Sequence, residues 1–311
     1  MVEVVKYSSE YKAAWDAFVA ASKNGTFILC RDYMEYHADR FQDYSLLFYF
    51  KGRLVALLPA HAAGEEVHAH DGLSYGGIIS GKSMKTAVML QVFEAMRLYF
   101  KAAGFQKLKY KAIPAIYHKA PAEEDLYALF RNQAQLYRRD ANSVIAMGKP
   151  IPNSRKRRWE VAKAKRGSIE VALSEDYEGF MEMERRLLQE KYTTTPTHTT
   201  AEIARLASLF PKNIKLYVAC RAAEMVAGAV IYETSTVAHC QYMSSTAQGR
   251  EAGALDVLLD YLLTKVYAHK KYFSFGISTE KQGLYLNTNL IQNKESYGAR
   301  TIVHDFYELA L

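Results

Sequence analysis

The sequence predicts an α/β (α+β) protein of two tandem units, each a mixed, mainly antiparallel sheet flanked by helices. Three observations predict it. The 311 residues are about twice a common domain length, and 50% are hydrophobic, enough for a core in each half. Apolar positions switch between helical spacing and strand-like runs along the whole chain. The same order of elements occurs twice, at offsets of about 164 to 171 residues. With 7 Pro and 17 Gly against 23 Tyr and 14 Phe, a collagen-like or disordered chain is excluded.

In the first half, Ser9-Glu10-Tyr11 opens an amphipathic helix marked by Trp15, Phe18 and Val19. A short helix over 31–38 follows, then a hairpin of 45–50 and 54–60 about the turn Lys51-Gly52-Arg53. Val67-His68 marks a third strand. A long helix over 84–103 carries the stripe Val88, Val92, Ala95, Met96 and Tyr99, and a strand over 107–112 comes next.

In the second half, Ser174-Glu175-Asp176-Tyr177 opens the matching helix, with Phe180, Met181, Leu187 and Leu188 on its apolar face. Its acids stand at the start and Arg185, Arg186 and Lys191 toward the end, as the helix dipole favours. The capping box Thr199-Thr200-Ala201-Glu202 starts a second helix. Strands at 215–221 and 225–233 turn near Ala223-Glu224, Ala238-His239 matches Val67-His68, and a helix over 253–269 leads into a strand at 271–276. Pro150 and Pro152 interrupt both helix and strand. The join is expected there, with residues 1–153 as the first unit and 154–311 as the second.

The net charge of +7 is concentrated. Residues 155–166 hold seven basic residues and one acid, +6 in that stretch. Such a patch attracts the phosphates of RNA, a nucleotide or CoA, or else is the solvated face of a connecting helix. Cys30, Cys220 and Cys240 lack the paired spacing of a zinc site and read as reduced, buried thiols. His68 and His70 share one strand face beside Asp71, but no third ligand with recognisable spacing follows, so no metal is expected. No apolar run reaches the roughly 18 residues of a membrane span, and residues 1–9 lack a basic-then-apolar start, so a cytoplasmic protein is expected.

The segment Gly76-Gly77-Ile78-Ile79-Ser80-Gly81-Lys82-Ser83 matches the phosphate-loop pattern G-x4-G-K-[ST]. A P-loop enzyme also needs repeated parallel strand–helix units and a strand-end Asp for magnesium, which this meander-like half does not offer. The segment reads instead as the first copy of a loop that is clearer in the second half. There a strand ending near Ser244-Ser245-Thr246 runs into Gln248-Gly249-Arg250-Glu251-Ala252-Gly253-Ala254-Leu255. Glycines let a ligand approach the backbone, and amides at a helix start meet pyrophosphate oxygens.

This segment resembles the acyl-CoA loop of the GNAT acyltransferase superfamily, Q/R-x-x-G-x-G/A, with Leu255 where that family has Gly or Ala. The ending, Gly283-Leu284-Tyr285, then Asn293-Lys294-Glu295-Ser296-Tyr297-Gly298, then Asp305-Phe306-Tyr307-Glu308-Leu309, is similar to that of the Fem-type peptidoglycan-bridge aminoacyltransferases. Those are themselves tandem GNAT units, ending roughly in G-L-Y, F-K-x-x-F-G and a terminal strand. Asn293 and Tyr297 depart from the two Phe positions.

The resemblance implies two GNAT-like units, with the acyl-donor side in the second and the acceptor side in the first. It implies acyl-CoA (acetyl-CoA) held by Gln248, Gly249, Arg250, Gly253 and Ala254, and Lys294 on substrate or transition-state charge. The residues leave the general base open; His198, Tyr242 and His239 are candidates. The hydroxyl-rich stretch 191–198, with Tyr192 and Thr195, reads as a capped loop or a polar substrate wall, and Asp71 and Tyr75 stand on the corresponding rim of the first half. A Ser-His-Asp hydrolase is excluded, since no Ser sits in a G-x-S-x-G elbow. The leading expectation is an N-acyltransferase moving an acyl group from acyl-CoA to an amine. The alternatives are a Fem-type aminoacyltransferase that takes its donor from tRNA, bound through 155–166, and acts on a cell-wall precursor, or a non-catalytic binding protein of the same fold.

Overall fold

The computed structural model describes residues 1–192 and 194–311, with all their side chains except those of Lys191 and Tyr192. Up to the middle of the chain the elements are β1 (Val2–Lys6), α1 (Lys12–Ala21), α2 (Arg31–Met34), β2 (Gln42–Asp43), β3 (Leu46–Phe50), β4 (Arg53–Leu58), β5 (His61–Ala63), β6 (Glu66–His68), β7 (Ile79–Ser80), α3 (Thr86–Ala102), β8 (Lys107–Lys111), α4 (Glu124–Arg131) and β9 (Gln135–Ala146). Then come α5 (Arg155–Ala164), β10 (Ile169–Ser174), α6 (Tyr177–Tyr192), α7 (Thr200–Leu209), β11 (Ile214–Arg221), β12 (Glu224–Glu233), β13 (Val237–Ser245), α8 (Ala247–Ala252), α9 (Ala254–Tyr261), β14 (Tyr272–Ile277), β15 (Thr279–Glu280), β16 (Tyr285–Leu286), α10 (Thr288–Ser296) and β17 (Arg300–Ala310).

Packing divides the chain into two units. One holds Met1–Asp140, Glu280–Tyr285 and Val303–Leu311; the other holds Ala141–Thr279 and Leu286–Ile302. This division by packing is distinct from the repeat boundary expected at 153/154, because the long strands β9 and β17 each pass from one unit to the other.

In the first unit an antiparallel sheet has the order β1-β3-β4-β7. A second set joins the β5–β6 hairpin to β8, parallel to β6, and to β17, antiparallel to β8. Helix α3 buries Met89, Val92, Phe93, Met96 and Phe100 in a core with Leu46, Phe48, Leu58, Leu108 and Tyr110. Each such side chain contributes about 1.5–3 kcal/mol, so a charged residue at Phe93 would break this unit. The buried face is rotated from the expected stripe, and Val88, Ala95 and Tyr99 lie on its flank. The third strand expected at Val67-His68 is the second arm of the β5–β6 hairpin, outside the sheet of β4. The meander is closed instead by the two-residue β7, Ala56 facing Ser80.

In the second unit β10, β11, β12 and β13 form a continuous antiparallel meander, β14 adds parallel to β13, and β9 adds antiparallel to β14. Helix α9 covers one face with Ala254, Leu258 and Leu259 over Ala219, Ala227, Ala229 and Ala238. Helix α6 covers the other, and Gly228 lets Phe180 approach: a Cβ there would stand 2.6 Å from its ring. The capping box forms as the sequence predicts, Thr199 Oγ1 accepting from Glu202 N while Glu202 takes the Thr199 N–H. The helix expected over 253–269 begins earlier and is broken, because Gly253 adopts φ +69° between α8 and α9, and a π-turn over Leu262–Val266 ends it. Among the described residues no helix is long and apolar enough to cross a membrane. All three cysteines are free, and Cys240 is buried.

Candidate functional site

Strands β13 and β14 pair over three residues only, Val237 with Tyr272, Ala238 with Phe273 and His239 with Ser274. β13 then continues to Ser245 without β14. Gly276, at φ +75°, turns β14 away, and its register with β9 shifts between Ser274 and Ile277. The two strands therefore open into a slot whose edge amides and carbonyls are not spent on each other.

A bulge decides which side chains face this region. Val230 pairs with Tyr242 but Ile231 pairs with Cys240, so Gln241 is an extra residue in β13. Strict alternation would put His239 and Tyr242 on opposite faces. With the bulge, Ala238, Cys240 and Met243 all turn toward the α9 core, and His239, Tyr242 and Ser244 share the other face.

That face meets α6 and the start of α7. The Tyr242 hydroxyl accepts the backbone N–H of His198 at 3.1 Å and lies 2.6 Å from its Nδ1, so these two candidates form one pair. Burial raises the Tyr242 pKa. Beside them stands Glu184, only 7% exposed, with no partner for its Oε2 among the described residues. Burial pushes its carboxyl up to about 7, against the pull of the Ser244 hydroxyl. Glu184 is absent from the sequence-derived candidates. Its signal is positional: it is the one acid on the apolar face of α6, four residues after Phe180 and three before Leu187.

Lys294, on α10, is 5% exposed, and its ammonium donates to the carbonyls of Gly276 at 3.1 Å and Ile277 at 2.6 Å. Burial lowers its pKa to about 8. It is thus held at the turn that opens the slot. His239 Nδ1 lies 3.0 Å from Ser274 Oγ, which donates to Asn142 Oδ1 at 3.1 Å.

The segment expected as an open glycine loop is mostly helix α8, capped by Thr246, whose side chain accepts from Gly249 N. Gln248 and Arg250 are exposed on it, and Arg250 Nη1 donates to Ser245 O at 2.8 Å. Gly249 is a packing glycine, since a Cβ would stand 2.0 Å from the Val226 carbonyl. Gly253 and the buried Ala254 form the start of α9, where no side chain caps the helix amides. The basic stretch forms α5, which packs on α9 through Arg157: its guanidinium meets Asp256, Asn293 and Ser296 and lies over the Tyr297 ring. The two observations meet in a cleft of about 490 Å3 lined by Arg157, Lys163, Arg221, Arg250 and Gly253. Arg250 also borders a groove of about 310 Å3 with Met183, Arg186 and Leu187 of α6.

The remaining candidates do not join this group. Thr195 is exposed, and the Tyr192 side chain lies outside the described residues. In the first unit Tyr75 is buried, its hydroxyl 2.9 Å from Thr26 Oγ1 and its ring against Tyr117. Asp71 is half-exposed and bonded to His68 Nδ1 at 2.6 Å. The P-loop-like segment is packed down: Ile78 N donates to the Tyr110 hydroxyl at 2.7 Å, and Ile79–Ser80 pairs with β4.

No protein-family model matches the sequence, and no curated protein matches it. Solved structures do. FemX superposes over 99% of this chain and 97% of its own with a TM-score of 0.69 at 11% identity. The fold is that of a tandem GNAT protein of the Fem type. Two further solved structures similar in fold are L-PGS from Bacillus licheniformis, at TM-score 0.61 and 12% identity over 98% of this chain and 92% of that one, and a tandem GNAT protein from the clavulanic acid biosynthesis pathway, at 0.52 and 11% over 100% and 98%.

Proposed function

We propose that the chain is an acyltransferase that moves an acyl group from an activated donor to an amine, with its chemistry in the second unit. The observation that carries this reading is the pairing of an opened β13–β14 slot with a basic cleft at the start of α9. In this reading the donor phosphates sit among Lys163, Arg221, Arg250 and the uncapped α9 amides, and the acyl carbonyl enters the slot, where backbone amides polarise it. Glu184, poised near neutral pH, takes the proton of the attacking amine, directly or through water. The Lys294 ammonium stabilises the negative charge that develops on the carbonyl oxygen; the bond between acyl carbon and donor then breaks, the leaving group takes up the proton that Glu184 has accepted, and the Tyr242–His198 pair fixes the wall of the site. The neighbours in fold, FemX and a tandem GNAT protein, are consistent with such chemistry. Acyl-CoA is the donor this reading favours. The test is calorimetric titration with CoA, followed by mass spectrometry of acetyl transfer to an amine library. Saturable binding weakened by Arg250→Ala supports the reading, and no binding with no transfer refutes it.

A second donor, aminoacyl-tRNA, is favoured by one observation: Arg155, Arg158, Lys163 and Arg166 of the basic stretch are exposed and lie within ion-pair distance of no carboxylate among the described residues. Neutralising four to six phosphates gives a log–log salt slope of about −4 to −5, whereas CoA binding is far less dependent on salt.

A further inference from the structure

The β5–β6 hairpin of the first unit turns at Gly64 and sets His61 directly opposite His68. A cross-strand pair on one face brings two side chains within reach of one partner, and these two rings lie 5.3 Å apart. The next turn supplies that partner. His70 adopts φ +59°, a conformation rare outside glycine and asparagine, and the turn is closed by Leu73 N donating to His70 O at 3.1 Å. Asp71 is thereby folded back over the hairpin, with Oδ2 2.6 Å from His68 Nδ1 and 3.7 Å from His61 Nε2. One donor atom from each of the three lies within 4.8 Å of the others.

Hydrogen bonding explains His68 but not His61. His61 is 5% exposed, its Nδ1 is buried without a partner among the described residues, and its Nε2 points at Asp71 from beyond hydrogen-bond range. We propose that His61 Nε2, His68 Nδ1 and Asp71 Oδ2 form a binding site for a divalent transition metal of the zinc class. Bonds of about 2.1 Å at tetrahedral angles put donor atoms roughly 3.4 Å apart. The His61–Asp71 separation already fits, and the His68–Asp71 contact need open by less than about 1 Å. Glu66 Oε2 stands 3.0 Å from His68 Nε2, the carboxylate–histidine arrangement that fixes the ring with its other nitrogen toward a metal. Two imidazoles and one carboxylate select zinc-like ions over calcium or magnesium, which take oxygen ligands. Asp71, 52% exposed, leaves the fourth position open to water.

The test uses the untagged full chain stripped by chelator, titrated with Co2+ by visible absorption and with Zn2+ by calorimetry. One equivalent is expected, with the spectrum of a tetrahedral nitrogen–oxygen site. Asp71→Asn and His61→Ala should each weaken binding at least about 100-fold, Glu66→Gln about 10- to 100-fold, and His269→Ala, at an exposed residue of the second unit, not at all. If His61→Ala fails to fold, Asp71→Asn, at a half-exposed position, decides alone. No saturable binding of either ion, or one-equivalent binding that survives Asp71→Asn, overturns the proposal.

Discussion

Replacing Glu184 by Gln removes a titration and keeps the shape of the side chain. Burial raises this carboxyl from its ordinary 4.5 to about 7, and about 2.5 units at 1.36 kcal/mol each is roughly 3 kcal/mol. The sign follows from the protons. Between those two values the folded carboxyl keeps a proton that the unfolded chain has released, so the unfolded state binds fewer protons and stability falls as pH rises. The wild-type chain should therefore lose up to about 3 kcal/mol from this group between about pH 4.5 and pH 7, and the Gln variant should not. The Gln amide cannot satisfy the place of the unpartnered Oε2 any better, but that deficit does not depend on pH and cancels when the two series are subtracted. Urea denaturation of both proteins, at intervals from about pH 5 to pH 8, reads the difference directly. Stability curves that stay parallel within about 0.5 kcal/mol would refute the reasoning, because a carboxyl with no shift gives no differential slope.

Three further outcomes follow from the same geometry. Under the proposed mechanism the pH–rate profile should rise near pH 7 as Glu184 ionises and fall near pH 8 as Lys294 loses its proton. Glu184→Gln should remove the rising limb and Lys294→Arg should shift the falling one, and a profile unchanged in both would exclude these roles. Tyr242→Phe should cost about 1–3 kcal/mol in urea unfolding, because His198 N–H and Nδ1 both lose their partner; an unmoved midpoint argues that water replaces the hydroxyl. Gly253→Ala meets both a φ of +69° and Ala164 Cβ at 2.8 Å, so it should destabilise by about 1–2 kcal/mol and weaken CoA binding several-fold. Gly104→Ala, at φ +89° with nothing nearby, should carry the backbone cost alone and leave calorimetric CoA affinity unchanged.

Local chemistry alone determined much of the architecture. The capping box at Thr199, the α1 and α6 apolar faces, the β3–β4 and β11–β12 hairpins and the repeated order of elements are written in neighbouring residues, because caps, turns and periodicity act within a few positions of the chain. The ending about Lys294 and the basic stretch were also visible as composition, though not where they point. Tertiary structure decided the rest, since burial and register depend on partners distant in sequence. The extra residue Gln241 moves Tyr242 to the face of His239, which no alternation pattern foretells. Gly249, read as a place for phosphate, is small because the Val226 carbonyl is 2.0 Å from where its Cβ would stand. Glu184 becomes a group that titrates near neutrality only once α6 is laid on β13, and His61 acquires a relation to Asp71 only through the hairpin register and the left-handed turn at His70. A sequence states which side chains are present and how each segment folds, but the dielectric around a carboxyl and the distance between two imidazoles are properties of the packed chain.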